Sequence, residues 1–222
     1  MPTTKRRVGR PRADRRPETG LTPREELLQA ASELFVSRGY AATSTRAIAE
    51  RAGMRQASMY HYFGSKEDLL AALLESTVAP SLDMATAILA RGEPSAEARL
   101  WLLCRADAAL LASGPYNLGA LYLLPEAGDA RFAGFHRMRT ALKDAYRLLL
   151  AATGPGAALG EEELVTRAGL VFGLVESVIL ARREGVGPSV PALSEAVADG
   201  ALRLAGLAPG EAARIGAAAR ES

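Results

Sequence analysis

Apolar residues recur at intervals of three and four along most of the chain, and glycine- or proline-rich breaks separate the stretches that they define. This period is typical of amphipathic α-helices, whereas alternating runs of β-branched residues, which would predict strands, are absent. Beyond the first 60 residues, the pattern predicts helices over roughly 65–90, 95–112, 129–152, 161–184 and 191–207, with a short segment at 116–124. The sequence therefore predicts an all-α protein.

Shorter helices are predicted nearer the amino terminus. Thr22 is placed to cap a first helix, which Gly39 ends. Ser44 is placed to cap a second helix, and Gly53 follows it where the backbone needs a positive φ. A third helix is predicted from about residue 55 to residue 62. Two short helices joined by a glycine turn form a helix-turn-helix.

The second helix of this pair has one apolar anchor and one polar face. With Met59 facing the core, a rotation of about 100° per residue points Ala57 and His61 most directly outward. Gln56 and Tyr60 lie on one flank. This layout suits a helix that enters a DNA major groove.

The same stretch resembles the DNA-binding signature of TetR-family transcriptional regulators. The matching positions are Thr45, Ile48-Ala49, Ala52-Gly53-Met54, Met59-Tyr60, Tyr62-Phe63, Lys66 and Leu69. Ala57 departs from the usual Gly or Pro, and Tyr62 departs from the usual His. The resemblance implies an N-terminal three-helix DNA-binding domain joined to a helical ligand-binding and dimerisation domain. It also implies a homodimeric repressor that binds a pseudo-palindromic operator and is released by a small, usually apolar effector.

Side chains on the helix-turn-helix are candidates for contacts with DNA. The set that we expect to meet DNA is Ser44, Thr45, Arg46, Arg55, Gln56, Ala57, Ser58, Tyr60, His61 and Lys66. Gln56 is the candidate for direct readout, because its amide matches adenine N6 and N7. Hydroxyl and basic side chains set the register on phosphates. For Tyr60 a packed core aromatic remains the alternative, and for Arg46 and Arg55 a solvated surface charge.

Charge is concentrated at one end of the chain. Residues 1–20 carry seven basic and two acidic side chains, whereas residues 71–222 carry fourteen basic and seventeen acidic ones. The low apolar content of the first segment predicts an arm that is disordered when free. Its Arg10, flanked by Gly9 and Pro11, resembles an AT-hook core. The arm therefore places Arg7, Arg10 and Arg12 in a minor groove, or else binds phosphates without sequence preference.

The rest of the chain is expected to bind an effector and a second subunit. We divide the chain into a basic arm (1–20), a DNA-binding domain (21–76), a helical effector-binding and dimerisation domain (77–207) and a flexible tail (208–222). The last two long helices are unusually apolar, which predicts a four-helix dimer interface, with an intramolecular core as the alternative. The predicted interface residues are Gly169, Phe172, Gly173, Val197 and Leu204.

Polar residues embedded among apolar neighbours mark the predicted effector pocket between the fourth and seventh helices. They are Trp101, Cys104, Arg105, Asn117, Tyr122, His136, Arg139 and Glu176. For each of them a satisfied role in the core is the alternative to ligand contact. The resemblance implies that the effector shifts the spacing of the two recognition helices.

Other functions are disfavoured by the residues that the chain lacks. A single cysteine excludes an internal disulfide, and the sequence has neither metal-ligand spacing nor a catalytic triad. We therefore expect no cofactor, no metal and no enzyme, although a helical enzyme and an effector-independent architectural DNA-binding protein are the alternatives. No apolar stretch of membrane-spanning length lacks a charge, and no signal peptide is evident, so we expect a cytoplasmic protein.

Overall fold

The structure is a computed structural model that describes residues 20–183 and 188–221 of the chain. The α-helices in these ranges are α1 (Pro23–Arg38), α2 (Thr45–Arg51), α3 (Gln56–Met59), α4 (Lys66–Leu89), α5 (Ala96–Ala112), α6 (Ala133–Ala152), α7 (Glu161–Glu176), α8 (Val178–Arg183), α9 (Val190–Leu204) and α10 (Pro209–Glu221). Short 3-10 helices lie at Leu118–Leu123, Pro125–Gly128, Ala130–Phe132 and Gly156–Ala158. No strand occurs in the described ranges, and the predicted all-α class is confirmed.

The helix boundaries near the amino terminus follow from local chemistry. The Thr22 side chain accepts the backbone N–H of Glu25, and the Glu25 carboxylate accepts the backbone N–H of Thr22, which forms a capping box. The side chains of Ser44 and Ser65 cap α2 and α4 in the same position. Gly53 has a φ of +67°, as the turn requires. The predicted caps at Thr22 and Ser44 and this turn are confirmed.

Helices α1 to α3 pack around an apolar core that the first turns of α4 complete. Met59 is fully buried and faces this core, as predicted. It lies with Leu27, Phe35, Ile48 and Leu70 in the buried cluster. Because Met59, at the end of α3, is the only buried residue of this helix, the other side chains can face outward. The helix is shorter than predicted and gives way to a turn at Tyr60.

Helix α5 is the centre of the remaining helices. It packs against α4, α6, α9 and α10, and its Leu100, Trp101, Leu103 and Cys104 are fully buried. Burial on several faces explains why its sequence is apolar nearly all round. The predicted helix at 129–152 begins only at Ala133, because the Asp129 side chain first caps a separate 3-10 turn.

The prediction of a flexible tail at 208–222 is wrong. Residues 209–221 form α10, which packs against α5 and α9 and buries Ala212 and Ala219. At Gly216 an added Cβ would lie 3.1 Å from Trp101 Nε1, so a small residue there permits the close approach of α10 to α5. The alanine-rich composition that suggested fraying is what allows tight packing.

The predicted helix at 161–184 is broken in two. Its first part, α7, ends at Glu176, and the Ser177 hydroxyl donates to the carbonyl of Leu174 at 2.6 Å. By length and composition alone the stretch Glu161–Arg183 could cross a membrane, a test that the core helix of a soluble protein also passes. One side packs against α6 and α9, and the other side is exposed.

Candidate nucleic-acid interface and interior cavity

Three polar side chains meet on the outer surface of α2 and α3. Gln56 Nε2 donates to Thr45 Oγ1 at 3.0 Å and lies 3.5 Å from the Tyr60 hydroxyl oxygen. The hydroxyl oxygens of Thr45 and Tyr60 are 3.4 Å apart. We call Thr45, Gln56 and Tyr60 the surface triad. Its bonds are exposed, and the two that involve the Tyr60 hydroxyl are near the upper limit of length, so water or phosphate can replace them at small cost.

The other side chains predicted to meet DNA surround the surface triad. Arg55, Ala57 and His61 are exposed, and Ser58 is half-buried. Tyr60 is 48% exposed, which removes the alternative of a packed core aromatic. Arg46 is exposed and its Nε donates to Glu50 Oε1 at 2.8 Å, a pair that contributes little to stability in solvent. Ser44 uses its hydroxyl oxygen to cap α2.

The ammonium of Lys66 is bound within the protein, whereas its predicted role requires it to face a DNA phosphate. Its ammonium donates to the carbonyls of Tyr40 at 2.9 Å and Thr43 at 3.0 Å, and it lies 4.1 Å from the centre of the Tyr40 ring. Two of its three donors are therefore used within the protein. Lys66 joins the start of α4 to the loop between α1 and α2, which makes it a residue that positions the helix-turn-helix and revises the predicted phosphate contact.

An interior cavity with charged walls lies between α4, α5, α6 and α7. Its volume is about 10 Å³, which is room for about one water molecule. Asp107, 2% exposed, accepts hydrogen bonds from the Ser81 hydroxyl at 2.6 Å and the Tyr146 hydroxyl at 2.7 Å. Burial raises the pKa of Asp107, and the two hydroxyl donors oppose that shift.

The second polar group in this cavity is an ion pair. The guanidinium of Arg139 binds the carboxylate of Glu176 through two nitrogens, Nε and Nη2. The Nε atom lies 3.1 Å from Glu176 Oε1. Thr77 and Tyr122 share a hydrogen bond of 2.6 Å on the opposite wall. Because Thr77 Oγ1 also lies 2.6 Å from the Leu74 carbonyl, its proton goes there and Tyr122 donates. Every polar group named on these walls already has a partner.

Three of the predicted pocket residues come together in this cavity, namely Tyr122, Arg139 and Glu176. The other five do not line it: four of them hold the fold elsewhere, and Arg105 lines a separate cleft of about 400 Å³ between α5 and α9. They are Trp101, which donates to Asp199 at 2.7 Å, the buried Cys104, Arg105, which lies 3.9 Å from Glu195, Asn117, which donates to Ile179 O at 2.8 Å, and His136, whose Nε2 lies 3.2 Å from Asp129 O. Burial raises the pKa of the Cys104 thiol, so it is a poor nucleophile.

Thr77, Ser81 and Asp107 were not predicted from the sequence. Asp107 and the nearby Arg105 stand among apolar residues of α5, the same signal that selected Arg105 and, on α7, Glu176. Thr77 and Ser81 lie four residues apart on one face of α4 and gave no signal, because hydroxyl side chains are common on exposed helix surfaces.

The predicted dimer residues fall into two groups. Phe172 and Val197 are each 4% exposed and belong to the protomer's own core, so their assignment to an interface is wrong. Gly169, Gly173 and Leu204 are exposed. Val165, Leu170 and Leu180 on α7 and α8 are also exposed, by 52%, 55% and 52%. We call these six residues the apolar face.

Arg7, Arg10 and Arg12 of the predicted basic arm lie outside the described residues.

Comparisons with known proteins agree with this geometry. Residues 27–73 match the sequence family described as bacterial regulatory proteins, tetR family. The chain is 43% identical to AmtR from Mycobacterium smegmatis, whose crystal structure superposes with a TM-score of 0.77 over 92% of this chain and 97% of that one. The ketosteroid transcriptional regulator KstR2 of Mycobacterium tuberculosis has the same fold, with a TM-score of 0.69, 20% identity and coverage of 82% of this chain and 94% of that chain.

Among curated sequences, the repressor KstR2 of Mycolicibacterium smegmatis is 44% identical over 61 residues. This match spans 26% of the present chain and 30% of that relative, so it covers less than a third of the relative's length. The relation to AmtR, by contrast, extends over nearly the whole of both chains. With that similarity and the matched helix-turn-helix, the chain belongs to the TetR family of bacterial transcriptional regulators, which are not enzymes.

Proposed function

We propose that this chain is a homodimeric repressor that binds a pseudo-palindromic operator and is released by a small effector. The surface triad is the observation that carries the proposal. It places an amide and two hydroxyls on the outside of a helix-turn-helix, where they are exposed and weakly bonded to one another. Such groups can exchange their partners for phosphates and base edges without breaking the core. As a DNA-binding regulator, the protein would work in the cytoplasm.

Each side chain of the helix-turn-helix then has a specific role. Gln56 reads an adenine, and the Thr45 and Tyr60 hydroxyls, released from Gln56, bind phosphates on either side. Arg46 and Arg55 add charge at the edges of the interface, which makes affinity fall with salt. Ala57 and His61, also exposed, are placed for a thymine methyl and for a base or phosphate. The arm with Arg7, Arg10 and Arg12 adds either minor-groove or phosphate contacts.

The apolar face supports dimerisation. A soluble protomer rarely exposes several large apolar side chains in one patch without a partner. Val165, Gly169 and Gly173 are spaced by four residues along α7, so they form one stripe, and the glycines let a partner helix approach closely. A two-fold axis through this face pairs α7 and α9 with their copies as a four-helix interface. Two surface triads would then face two half-sites.

Effector control is the remaining part of the proposal. The helix α4 begins at Lys66 in the DNA-binding domain and passes the interior cavity at Thr77 and Ser81 in its middle, so a change beside these residues can move its start. We keep the domain division at residues 76 and 77 on this basis. The similarity to KstR2 covers 61 residues, and a steroid effector does not follow from it.

A titration of the protein's own upstream DNA tests the proposal. In a gel-shift assay at fixed salt, we expect a single shifted band of one dimer on one operator. Scrambling one half-site should weaken binding at least tenfold, because half of the base contacts disappear. A band indifferent to that scrambling, or no band at all, contradicts operator binding. Sedimentation of the free protein measures the dimer independently of DNA.

A further inference from the structure

A second cavity, larger than the interior one, lies where the DNA-binding helices meet the effector domain. Its volume is about 270 Å³, close to the lower limit of roughly 300 Å³ for small-molecule sites. It is bounded by Ser32 of α1, by Ser76, Thr77 and Pro80 of α4, by Leu110 and Leu111 at the end of α5, and by the loop residues Ser113, Gly114, Pro115, Tyr116, Leu118 and Gly119. We call this cavity the junction cleft.

The junction cleft has uncharged walls. None of the described residues that line it is an acid, a lysine, an arginine or a histidine, in contrast to the interior cavity with its Asp107, Arg139 and Glu176. An ion would lose its hydration there without gaining a countercharge. The occupant that fits these walls is therefore uncharged, with an apolar body that contacts Pro80, Leu110 and Leu118.

The hydroxyl groups of the junction cleft have already donated their protons. Ser32 donates to a carbonyl of its own helix at 2.7 Å, Ser76 at 2.8 Å, Thr77 at 2.6 Å and Ser113 at 2.6 Å. Each hydroxyl oxygen keeps a lone pair and so can still accept. The site offers acceptors, so its ligand should bring a donor.

One wall of the junction cleft is tied to the helix-turn-helix. The Tyr116 hydroxyl donates to Glu33 Oε2 at 3.0 Å, and Glu33 Oε1 accepts from Arg51 Nε at 3.0 Å. Hydrogen bonding to Arg51 is the main cause that lowers the pKa of Glu33, which keeps this carboxylate ionised at neutral pH. Tyr116 therefore connects the loop to α1 and, through Glu33, to α2.

The same loop is held from the other side by α8. Arg182 donates to the carbonyls of Ser113 and Gly114, both at 2.9 Å. Asn117 Nδ2 donates to the carbonyl of Ile179 at 2.8 Å. The loop thus spans from the effector domain to the DNA-binding domain, and a molecule in the junction cleft presses on it directly.

We propose that the junction cleft binds a small uncharged molecule that has an apolar body and a hydrogen-bond donor, such as an alcohol or a phenol. An occupant displaces the loop, breaks the Tyr116–Glu33 hydrogen bond and alters the position of α2 against DNA. The effect on DNA rests on the proposed function, whereas the binding site does not.

Probes that share a cyclohexyl ring and differ in charge test the site without DNA. Cyclohexanol, cyclohexylammonium and cyclohexanecarboxylate are titrated into the full chain, with leucine methyl groups observed by NMR. Cyclohexanol should shift the signals of Leu110, Leu111 and Leu118 saturably, and the two ions should bind at least tenfold more weakly. Ser76→Phe fills the cleft and should abolish the response, while Ser37→Phe on the exposed surface of α1 should preserve it.

Three results would overturn the site. These are equal responses to the ions, no saturable response to cyclohexanol from the three leucines, and a response that survives Ser76→Phe in a protein that remains folded by circular dichroism. A shift confined to Leu142, which lines the interior cavity, also counts against it.

Operator binding tests the connection to DNA. Ser76→Phe acts as a permanent occupant and should weaken operator binding about tenfold relative to Ser37→Phe, a typical size for coupling between two sites. In a protein that also carries Tyr116→Phe, Ser76→Phe should weaken operator binding less, because the hydrogen bond from Tyr116 to Glu33 is already lost. Unchanged affinity in Ser76→Phe overturns the connection. Failure of the wild-type chain to bind any operator would instead overturn the proposed function.

Discussion

The surface triad and the interior cavity use the same kinds of side chain under opposite conditions. In the surface triad, the hydrogen bonds of Gln56 are 3.0 to 3.5 Å long and lie in solvent. In the interior cavity, Asp107 holds two hydroxyls at 2.6 and 2.7 Å and is almost fully buried. Breaking the first set costs little because water replaces each partner, whereas breaking the second leaves unpaired polar groups inside the protein.

This difference separates recognition from structure. The exposed triad is able to change partners, which recognition of DNA requires. The closed interior cavity specifies how α4, α5, α6 and α7 pack, and its space for about one water molecule leaves a ligand little room. The junction cleft, with its larger volume and uncharged walls, lies between these two extremes. Substitutions that move one region towards the behaviour of the other test the comparison.

The largest effect is expected from Asp107→Ala. It removes the acceptor of Ser81 and Tyr146 and leaves a small cavity, so we expect a loss of about 3 kcal/mol in the free energy of unfolding. Thr45→Ala in the surface triad is the matched control and should change stability by less than about 0.5 kcal/mol. Urea unfolding followed by circular dichroism measures both. Equal losses in the two variants would contradict the comparison.

The next effect concerns the apolar face. Leu170→Glu places like charges across the proposed two-fold axis, and we expect at least a tenfold rise in the dimer dissociation constant, or about 1.4 kcal/mol. Leu148→Glu on α6 is the control, because Leu148 is exposed to a similar degree, 50% against 55%, and lies off this face. Sedimentation velocity distinguishes the two. If Leu148→Glu dissociates the protein and Leu170→Glu does not, the interface lies elsewhere.

Lys66→Ala should lower stability by about 1.5 kcal/mol, because two carbonyls lose a charged donor. Arg46→Ala, which removes an exposed pair with Glu50, should cost less than about 0.5 kcal/mol. Denaturant unfolding gives the two values. If Lys66→Ala keeps wild-type stability and only binds DNA more weakly, the result would support the phosphate contact that the sequence predicts for Lys66.

The smallest effect is a pH dependence. Because burial raises the pKa of Asp107 above the ordinary 3.8, the neutral acid is favoured in the folded state and its stabilising effect is lost as pH rises through the folded pKa. Asp107→Asn resembles the neutral acid and does not titrate. The stability of wild type relative to Asp107→Asn should therefore fall as pH rises from about 4. A difference that grows with pH would show a lowered pKa instead.

Much of the fold followed from the sequence, because caps and helical periods are local signals. Thr22, Ser44 and Gly53 act over three or four residues, and their predicted roles are confirmed. The failures were long-range. The packing of α10 depends on how Gly216 meets Trp101, about 115 residues earlier, and no periodicity shows such a contact.

The candidate sites divide in the same way. The outward direction of Gln56 follows from helix geometry around Met59, so it was predictable. The partners of Lys66 depend on how the loop before α2 folds back, and sequence placed its ammonium towards DNA instead. Phe172 and Val197 were assigned to an interface because an apolar helix does not reveal which side faces its own core.

The most direct test of the account is base discrimination by the surface triad. Affinities of wild type, Gln56→Ala and the exposed control Gln29→Ala are measured for the operator and for each single base-pair substitution in it. We expect Gln56→Ala to lose about 1–3 kcal/mol of discrimination at one position in each half-site and to keep it elsewhere, while Gln29→Ala behaves as wild type. Equal weakening of Gln56→Ala on every operator, or no change at all, would contradict the proposal that the surface triad reads DNA.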